Sequence, residues 1–349
     1  MGNIQYSDLE AVFKIPSLHT NHLPINLKLP IQMVLNFIVQ RSSLKALMRT
    51  NTSPSLESIL VTCSPFLSDI LACFYLSRLF GIKAAVNFHH ISPPPWWHPF
   101  KRGSITRSFS NWLLSHFALA LTKIGGMLPV IDHPSDITSA GWRFPAGIVK
   151  NDLFLSIGSA PNLVKRSIVN QACFVGRIAK NKGIIDLLYV WKNVIGNLPE
   201  ARLVICGQCH DTRFKNHILR VMRKLRLDSS VRITFDYVSD EEKRQILSSS
   251  LLFVFPSYEE GWSLGVMEAA SVGTLPVTYD LPAYDYLGDL SIMAKSGDID
   301  QLAIIVTFLL TNDRQRGAIS ARLQSKVISY NPYAIARSQV DAFLKFVRQ

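Results

Sequence analysis

The sequence predicts an α/β protein with doubly wound parallel sheets, and three observations support this fold class. From about residue 171 onward, short apolar runs typical of strands alternate with helical patterns, which implies a parallel sheet covered by helices. The 349 residues are enough for two domains, and 48% hydrophobic with 18% charged residues indicates a globular chain. Every apolar run is shorter than the roughly 18 residues that a membrane-spanning helix needs.

The elements of the second half follow from periodicity. Helices are predicted over 184–197, 213–226, 239–250, 264–273 and 297–312, and over the terminal segment 331–349. Asp298 is predicted to cap the helix that follows it, which also accounts for the only Asp-x-Asp pair, Asp298 and Asp300. The strands are predicted at 171–176, 201–207, 231–238, 251–257, 275–280 and 291–295.

The first half has a weaker pattern of the same kind. Strands are predicted at 58–64, 83–90 and 117–124, with a helix at 69–81 and a further helix candidate within 10–50. Turn residues cluster at 149–167 and mark the boundary between domains. We therefore predict three segments: an N-terminal domain at 1–160, a C-terminal domain at 161–330, and a helix at 331–349 that returns to the first domain.

The net charge of +12 is concentrated in stretches without acidic residues. Residues 70–131 contain no Asp or Glu, and neither does the basic helix of 213–226. One interpretation is a set of solvated basic faces, and the other is attraction to an anionic partner. The loop HHISPPPWWHPFKRG at 89–103 combines basic and aromatic residues, as interfacial segments do. This favours an anionic membrane surface over nucleic acid, for which the chain has no motif.

The five cysteines are scattered, and no secretory signal precedes them. This usage suggests reduced thiols in a cytosolic setting. Cys206 and Cys209 form a C-x-x-C, but no second pair completes a zinc site, so a packing or loop role is favoured and no metal is expected.

In open parallel sheets, ligands bind outside the carboxyl ends of the strands. Two predicted loops at such strand ends contain the candidate ligand-binding residues. The first, VGRIAKNKG, contains Gly176, Arg177 and Lys182. Arg binds two phosphate oxygens as a fork and Lys supplies a compact charge, so together they suit a diphosphate. The pattern alone is a weak signal, because two basic residues in an exposed loop are usually just solvated.

The second loop, PSYEEGWSLGVMEAA, lies between a strand and a helix and contains three glutamates. Gly261 gives the backbone freedom, Ser263 is predicted to cap the following helix, and that helix start can hold an anion. Glu260 is also explained by the favourable charge of a helix N-terminus. Glu268 lies among apolar residues and needs a partner, such as a sugar diol.

These two loops, together with LVICG and VTYDLPAY, resemble the C-terminal domain of retaining glycosyltransferases of the GT-B fold, family 4 (glycosyl transferases group 1). The resemblance covers roughly 170–310 with the elements in order. It implies two Rossmann-like domains facing a central cleft. The Glu-x7-Glu signature of the family fits Glu260 and Glu268, and does not fit Glu259.

The resemblance also implies a role for each motif residue. Glu260 would contact the transferred sugar, Glu268 the ribose, and Arg177 and Lys182 the diphosphate leaving group. Backbone groups near sugar and phosphate would come from Gly176, Gly261, Trp262, Ser263 and Leu264. Such enzymes typically need no metal or other cofactor.

The N-terminal half matches this family less well. The Gly-rich loop that usually follows the first strand is missing near the start, so the chain either lacks that strand or has replaced the loop. The family often has a His near the acceptor, and His89 and His90 are the two candidates, with a structural role weighed equally.

The sequence therefore predicts an enzyme that moves a hexose from a nucleotide diphosphate sugar to an acceptor hydroxyl with retention of configuration. The predicted acceptor is a glycan or a lipid-linked saccharide, and the predicted location is peripheral, at the cytoplasmic face of a membrane. Three alternatives stay open: a nucleotide-sugar epimerase, a non-catalytic scaffold or partner-binding subunit, and a nucleic-acid binder.

Overall fold

The computed structural model of the chain describes residues 59–62, 66–88, 91, 105–131, 137–138, 140–145, 147–150, 170–261, 263–330 and 332–349. The chain divides into two compact units. One comprises Met1–Ile91, Leu113–Lys150 and Val340–Gln349, and the other comprises Ser92–Trp112 and Asn151–Gln339. The helix candidate within 10–50 lies outside the described residues.

The first unit contains a parallel sheet of four short strands in sequential order. The strands are β1 (Ile59–Thr62), β2 (Lys83–Phe88), β3 (Leu128–Ile131) and β4 (Val149–Lys150). Helix α1 (Leu67–Phe80) joins the first two strands, and its end is set by Gly81 in the left-handed conformation. This confirms an α/β arrangement with a parallel sheet in the first half of the chain.

The strand predicted at 117–124 is wrong. These residues form the end of helix α2 (Ile105–Ile124), and the strand that follows is the buried β3. The run begins with five apolar residues, FALAL at 117–121, so its periodicity alone did not separate a strand from a helix segment. None of the described helices is long and apolar enough to cross a membrane.

The last helix, α9 (Pro332–Arg348), places Phe346 in a small cluster with Ala85, Leu128 and Val130 of the first sheet. The ammonium of Lys83 lies 5.0 Å from the centre of the Phe346 ring. The final residues thereby cover one of the two apolar faces of strands β2 and β3.

The second unit contains a six-stranded parallel sheet. Its strands are β5 (Gln171–Val175), β6 (Arg202–Cys206), β7 (Val231–Thr234), β8 (Leu252–Phe255), β9 (Leu275–Tyr279) and β10 (Met293–Ala294). They lie in the order β10-β9-β8-β5-β6-β7. The chain runs from β5 outward to β7 and then returns to pair β8 against the other side of β5. The order of the strands therefore reverses between β5 and β8, which is where ligands bind in open α/β sheets.

Six helices cover the described part of this sheet. They are α3 (Ile184–Asn197), α4 (Thr212–Lys224), α5 (Asp240–Ser248), α6 (Leu264–Ser271), α7 (Ile299–Thr311) and α8 (Asp313–Ile328). The predicted cap of α7 is confirmed, because the Asp298 carboxylate accepts a hydrogen bond from the Gln301 amide at 2.9 Å. The basic helix α4 buries Phe214, Ile218, Val221 and Met222, which gives it one apolar face.

Candidate functional site

The candidate site lies at the carboxyl ends of β5 and β8, the two strands at which the sheet order reverses. The loop after β5 contains Gly176, Arg177 and Lys182, and the loop after β8 contains Glu260 and Gly261. Because β5 and β8 are hydrogen-bonded neighbours, both predicted loops leave the sheet side by side. The topology thus brings together two motifs that are about 80 residues apart in sequence.

The two loops meet in an ion pair between Lys182 and Glu260. The Nζ of Lys182 donates to Oε1 of Glu260 at 2.5 Å, and the side chains are 15% and 8% exposed. Lys182 also lies 5.5 Å from the centre of the Phe255 ring, at the end of β8. A pair with this little solvent is screened weakly by salt, so each charge needs the other in the absence of a ligand.

The backbones of the two loops are also in close contact. The amide of Tyr258 donates to the carbonyl of Asn181 at 2.8 Å. Gly183 has φ +66, and a Cβ at this position would lie 1.9 Å from the carbonyl oxygen of Pro256. Only glycine fits both the left-handed conformation and this approach, so Gly183 fixes the distance between the loops.

A third contact joins the loops through Asp186, in the first turn of α3. Its carboxylate accepts hydrogen bonds from the hydroxyl of Tyr258 and, at 2.8 Å, from that of Tyr279 on β9. Burial and the neighbouring Asp186 charge raise the pKa of both phenols, which therefore stay protonated donors. Asp186 thus connects helix α3, the loop after β8 and strand β9 next to the loops that hold the Lys182–Glu260 pair.

Helix α6 begins at the edge of the site, after a strained residue. Ser263 is buried with φ 55 and ψ 71, a left-handed conformation that costs a residue with a Cβ about 1–2 kcal/mol. Ser263 occupies the N-cap position of this helix as predicted, but the expected cap is not formed, because its side chain makes no cap hydrogen bond. The left-handed turn leaves the first amides of α6, from Leu264 onward, without a side-chain cap.

Glu268 lies one turn further along α6 and pairs with Lys243 of α5. The Nζ of Lys243 is 2.6 Å from Oε1 of Glu268 and 3.1 Å from Oδ1 of Asp240. Burial lowers the pKa of Lys243, but the hydrogen bonds and charges of Glu268 and Asp240 outweigh it, and the net shift is upward. Glu268 therefore has a charged partner, as its apolar surroundings predict.

Of the remaining predicted site residues, the structure describes Gly176 and Arg177 at the end of β5. Gly176 leaves β5 with its amide donating to the Cys206 carbonyl at 3.0 Å, and Arg177 is exposed beside it. A Cβ at Gly207 would lie 1.9 Å from the Gly176 carbonyl oxygen, so this strand exit is also tightly packed. His89, His90 and Trp262 lie outside the described residues.

Sequence reasoning missed three residues of this region: Lys243, Asp186 and Tyr258. Each acts through a partner at least 25 residues away, so no local spacing indicates it. A usable signal existed only for Asp186, an acidic residue on the otherwise apolar side of its helix.

A cavity of about 420 Å³ adjoins the site without containing its charged pair. It is walled by Lys180, Asp186, Phe214, His217 and Tyr258, together with the start of α3. Within the described ranges, no group of three or more His, Cys, Asp or Glu side chains is arranged to hold a metal ion. The described cysteines, Cys206 and Cys209 among them, form no disulfides.

Comparison with known proteins shows that this region is similar to a known protein family. Residues 161–325 match the family Glycosyl transferases group 1. The GDP-mannose:cellobiosyl-diphosphopolyprenol alpha-mannosyltransferase of Xanthomonas oryzae pv. oryzae (strain PXO99A) is 27% identical over 111 residues, 32% of this chain and 29% of that protein. The 2-deoxystreptamine N-acetyl-D-glucosaminyltransferase of Niallia circulans is 25% identical over 283 residues, 78% of this chain and 69% of that protein.

Among solved structures, a mutant of S. aureus TarM in complex with fondaparinux, alpha-GlcNAc-glycerol and UDP has a TM-score of 0.71 at 16% identity. The alignment covers 88% of this chain and 58% of TarM. The matched stretch spans less than a third of the Xanthomonas relative. The structural likeness confirms the predicted GT-B fold class, and the match to glycosyl transferases group 1 is confined to residues 161–325.

Proposed function

We propose that the chain is a retaining hexosyltransferase that uses a nucleotide diphosphate sugar and needs neither a metal nor another cofactor. The observation that carries this proposal is the Lys182–Glu260 pair at the point where the strand order reverses. A buried cation and a buried anion held side by side suit a ligand with a negative diphosphate next to a hydroxyl-bearing sugar. Such a ligand replaces the ion pair by contacts to each charge separately.

In the proposed complex, Lys182 and Arg177 bind the diphosphate. Both follow β5, and Arg177 is exposed and has no ion pair among the described residues. When the bond between the sugar C1 and the phosphate oxygen breaks, its electron pair moves to the diphosphate. Two positive charges fixed next to that oxygen stabilise the developing charge, a task that a metal ion performs in other sites.

The amides at the start of α6 are the second proposed contact of the diphosphate. A helix N-terminus favours an anion, and the left-handed Ser263 leaves these amides without a side-chain cap. Gly261 and Trp262 precede this turn in sequence, and we propose that their backbone groups, with that of Leu264, complete the donor contacts.

Glu260 is proposed to accept a hydrogen bond from a hydroxyl of the transferred sugar, and Glu268 from the ribose. The acceptor hydroxyl attacks C1 from the face that the diphosphate leaves, and its proton passes to the departing phosphate oxygen. Configuration is retained because bond formation and bond cleavage occur on one face. His89 or His90 remains the proposed residue on the acceptor side.

We propose a lipid-linked or glycan acceptor at the cytoplasmic face of an anionic membrane. Helix α2 contains no acidic residue and leaves Phe109, Leu113, Leu114 and Phe117 each about half exposed. Exposed apolar side chains next to basic ones are typical of segments that lie on anionic lipid. The Xanthomonas relative is named for a diphosphopolyprenol acceptor.

The donor test uses turnover of a panel of nucleotide diphosphate sugars, chosen first by the rise in melting temperature that each produces. We expect Lys182→Ala to lower turnover by about 10²-fold or more, which is typical when one stabilising donor is removed from a transition state. Lys180→Ala is the matched control, because Lys180 lies two residues away and makes no ion pair with Glu260. Equal turnover of Lys182→Ala and the wild type would show that Lys182 does not bind the leaving group.

The membrane part is tested separately by co-sedimentation with liposomes. We expect binding that needs anionic lipid and that weakens as salt is raised, because charge attraction is screened. Binding that is independent of both lipid charge and salt contradicts the proposed docking surface.

A further inference from the structure

We propose that Lys243 is a positioning residue that orients the Glu268 carboxylate toward the nucleotide ribose and so contributes to the choice of ribose over 2′-deoxyribose. This inference rests on the proposed function, in which Glu268 binds the ribose diol. Lys243 touches no part of the donor in this proposal. It acts through Glu268, which it contacts at 2.6 Å.

The ammonium of Lys243 is held from two sides. Oε1 of Glu268 lies on one side, and Oδ1 of Asp240 lies 3.1 Å away on the other. A flexible four-carbon side chain loses several rotamers when it is fixed in this way. The consequence is a defined direction for the Lys243 N–H groups, and hence for the Glu268 carboxylate that accepts one of them.

Helix α5, which carries Lys243, is itself fixed at both ends. Ser239 and Glu242 form a reciprocal capping box at its start. At its end the buried hydroxyl of Thr274 donates to the Leu247 carbonyl at 2.5 Å. Thr274 follows α6 in the chain, so the helix with Lys243 and the helix with Glu268 are connected independently of the ion pair.

The burial of this pair distinguishes it from an ordinary surface ion pair. The side chains of Lys243 and Glu268 are 25% and 35% exposed, whereas those of the neighbouring pair, Arg244 and Glu241, are 48% and 67% exposed. Exposed pairs contribute little to structure, because water and salt screen them. Of these two pairs, Lys243–Glu268 is therefore the one that restricts a carboxylate.

The ion pair leaves Glu268 able to bind a diol. A carboxylate has about four lone-pair positions, and the described contacts of Glu268 place one ammonium on Oε1. The 2′- and 3′-hydroxyls of a ribose need two of the remaining positions, in one plane. A Glu268 carboxylate that Lys243 holds in one orientation binds two ribose hydroxyls more tightly than one. A freely rotating carboxylate binds a single hydroxyl almost as tightly as the pair.

The test compares matched nucleotides by calorimetric titration: UDP, GDP, ADP and CDP, each against its 2′-deoxy counterpart. We expect the wild type to bind one ribonucleotide about tenfold more tightly than its deoxy form, as the loss of one hydrogen bond to a charged group implies. Lys243→Met is expected to reduce this ratio to about twofold, mainly by weakening the ribonucleotide. Lys243→Ala removes the same ammonium and replaces the methionine variant if that variant does not fold.

Arg244→Met is the control, because it removes a charge from the same helix at a residue that contacts only Glu241 among the acidic residues described. It is expected to keep the wild-type ratio, and Lys243→Arg is expected to restore most of it. The positioning role is refuted if Lys243→Met leaves the affinity ratio unchanged, or weakens the binding of both nucleotides equally. If Glu268→Gln abolishes the discrimination in the same experiment, ribose binding by Glu268 still stands. If the wild type binds none of the eight nucleotides, the proposed function fails as well.

Discussion

Replacing Gly183 with alanine is expected to separate the two loops of the candidate site. The new Cβ would lie 1.9 Å from the Pro256 carbonyl oxygen, whereas real Cβ contacts are essentially never shorter than 3.0 Å. One backbone must therefore move by about 1 Å or more. Lys182 directly precedes Gly183, and Glu260 follows Pro256 by four residues, so the displacement breaks their 2.5 Å contact.

The Gly183→Ala substitution lowers the free energy of unfolding in two ways. The left-handed conformation costs alanine about 1–2 kcal/mol, partly offset by the lower entropy of the unfolded chain. Overpacking of a backbone contact adds about 1–3 kcal/mol. We expect Gly183→Ala to lower the free energy of unfolding by about 3 kcal/mol in urea titrations, with faster hydrogen exchange in α3 and with loss of donor turnover.

Gly81 provides the matched control. It has φ 65 and ψ 23, against φ 66 and ψ 25 at Gly183, but a Cβ there meets nothing within 4 Å. Gly81→Ala therefore measures the conformational part alone and is expected to cost about 1 kcal/mol. Hydrogen exchange by mass spectrometry assigns each loss to its own unit. Equal losses in the two variants would show that the loops do not approach each other as described.

Two further predictions concern the second unit. Burial raises the pKa of the Cys173 thiol to about 12, so iodoacetamide at mildly alkaline pH should modify the half-buried Cys209 before Cys173. Peptide mass spectrometry that shows Cys173 modified as fast as Cys209 would contradict the buried position. Hydrogen bonds from the Ser239 side chain and backbone lower the pKa of Glu242 below its ordinary 4.5, so this stabilisation is present above pH 4.5 and is lost as the pH falls through the lowered pKa. Ser239→Ala should therefore lower the urea midpoint at neutral pH, and its difference from the wild type should shrink in acid; a constant difference down to about pH 3 would mean that Glu242 does not take part.

The sequence predicted the second sheet well because each of its elements has its own periodicity. Helix α3 keeps apolar residues at three- and four-residue spacing, and strand β8 is a short apolar run that ends just before Pro256. The stretch 117–124 failed for the opposite reason. Its first five residues are all apolar, so the end of a helix and a buried strand have the same pattern there.

The candidate site was predictable in its loops and not in its partners. Glu260 and Lys182 follow from motifs at two strand exits, and the sheet order then places these exits together. The partner of Glu268 depends on how α5 packs on α6, and no local spacing links Lys243 to it. Ser263 has the residue type of a helix cap, but its left-handed conformation is set by the turn and not by its own propensity.

A crystal structure of the chain with a bound nucleotide diphosphate sugar tests the proposed donor site most directly. We expect a diphosphate within hydrogen-bonding distance of the Lys182 ammonium and the first amides of α6, with Glu260 released to the sugar and Glu268 against the ribose. A donor bound elsewhere, for example in the cavity walled by Lys180 and His217, with the Lys182–Glu260 pair intact, would contradict it.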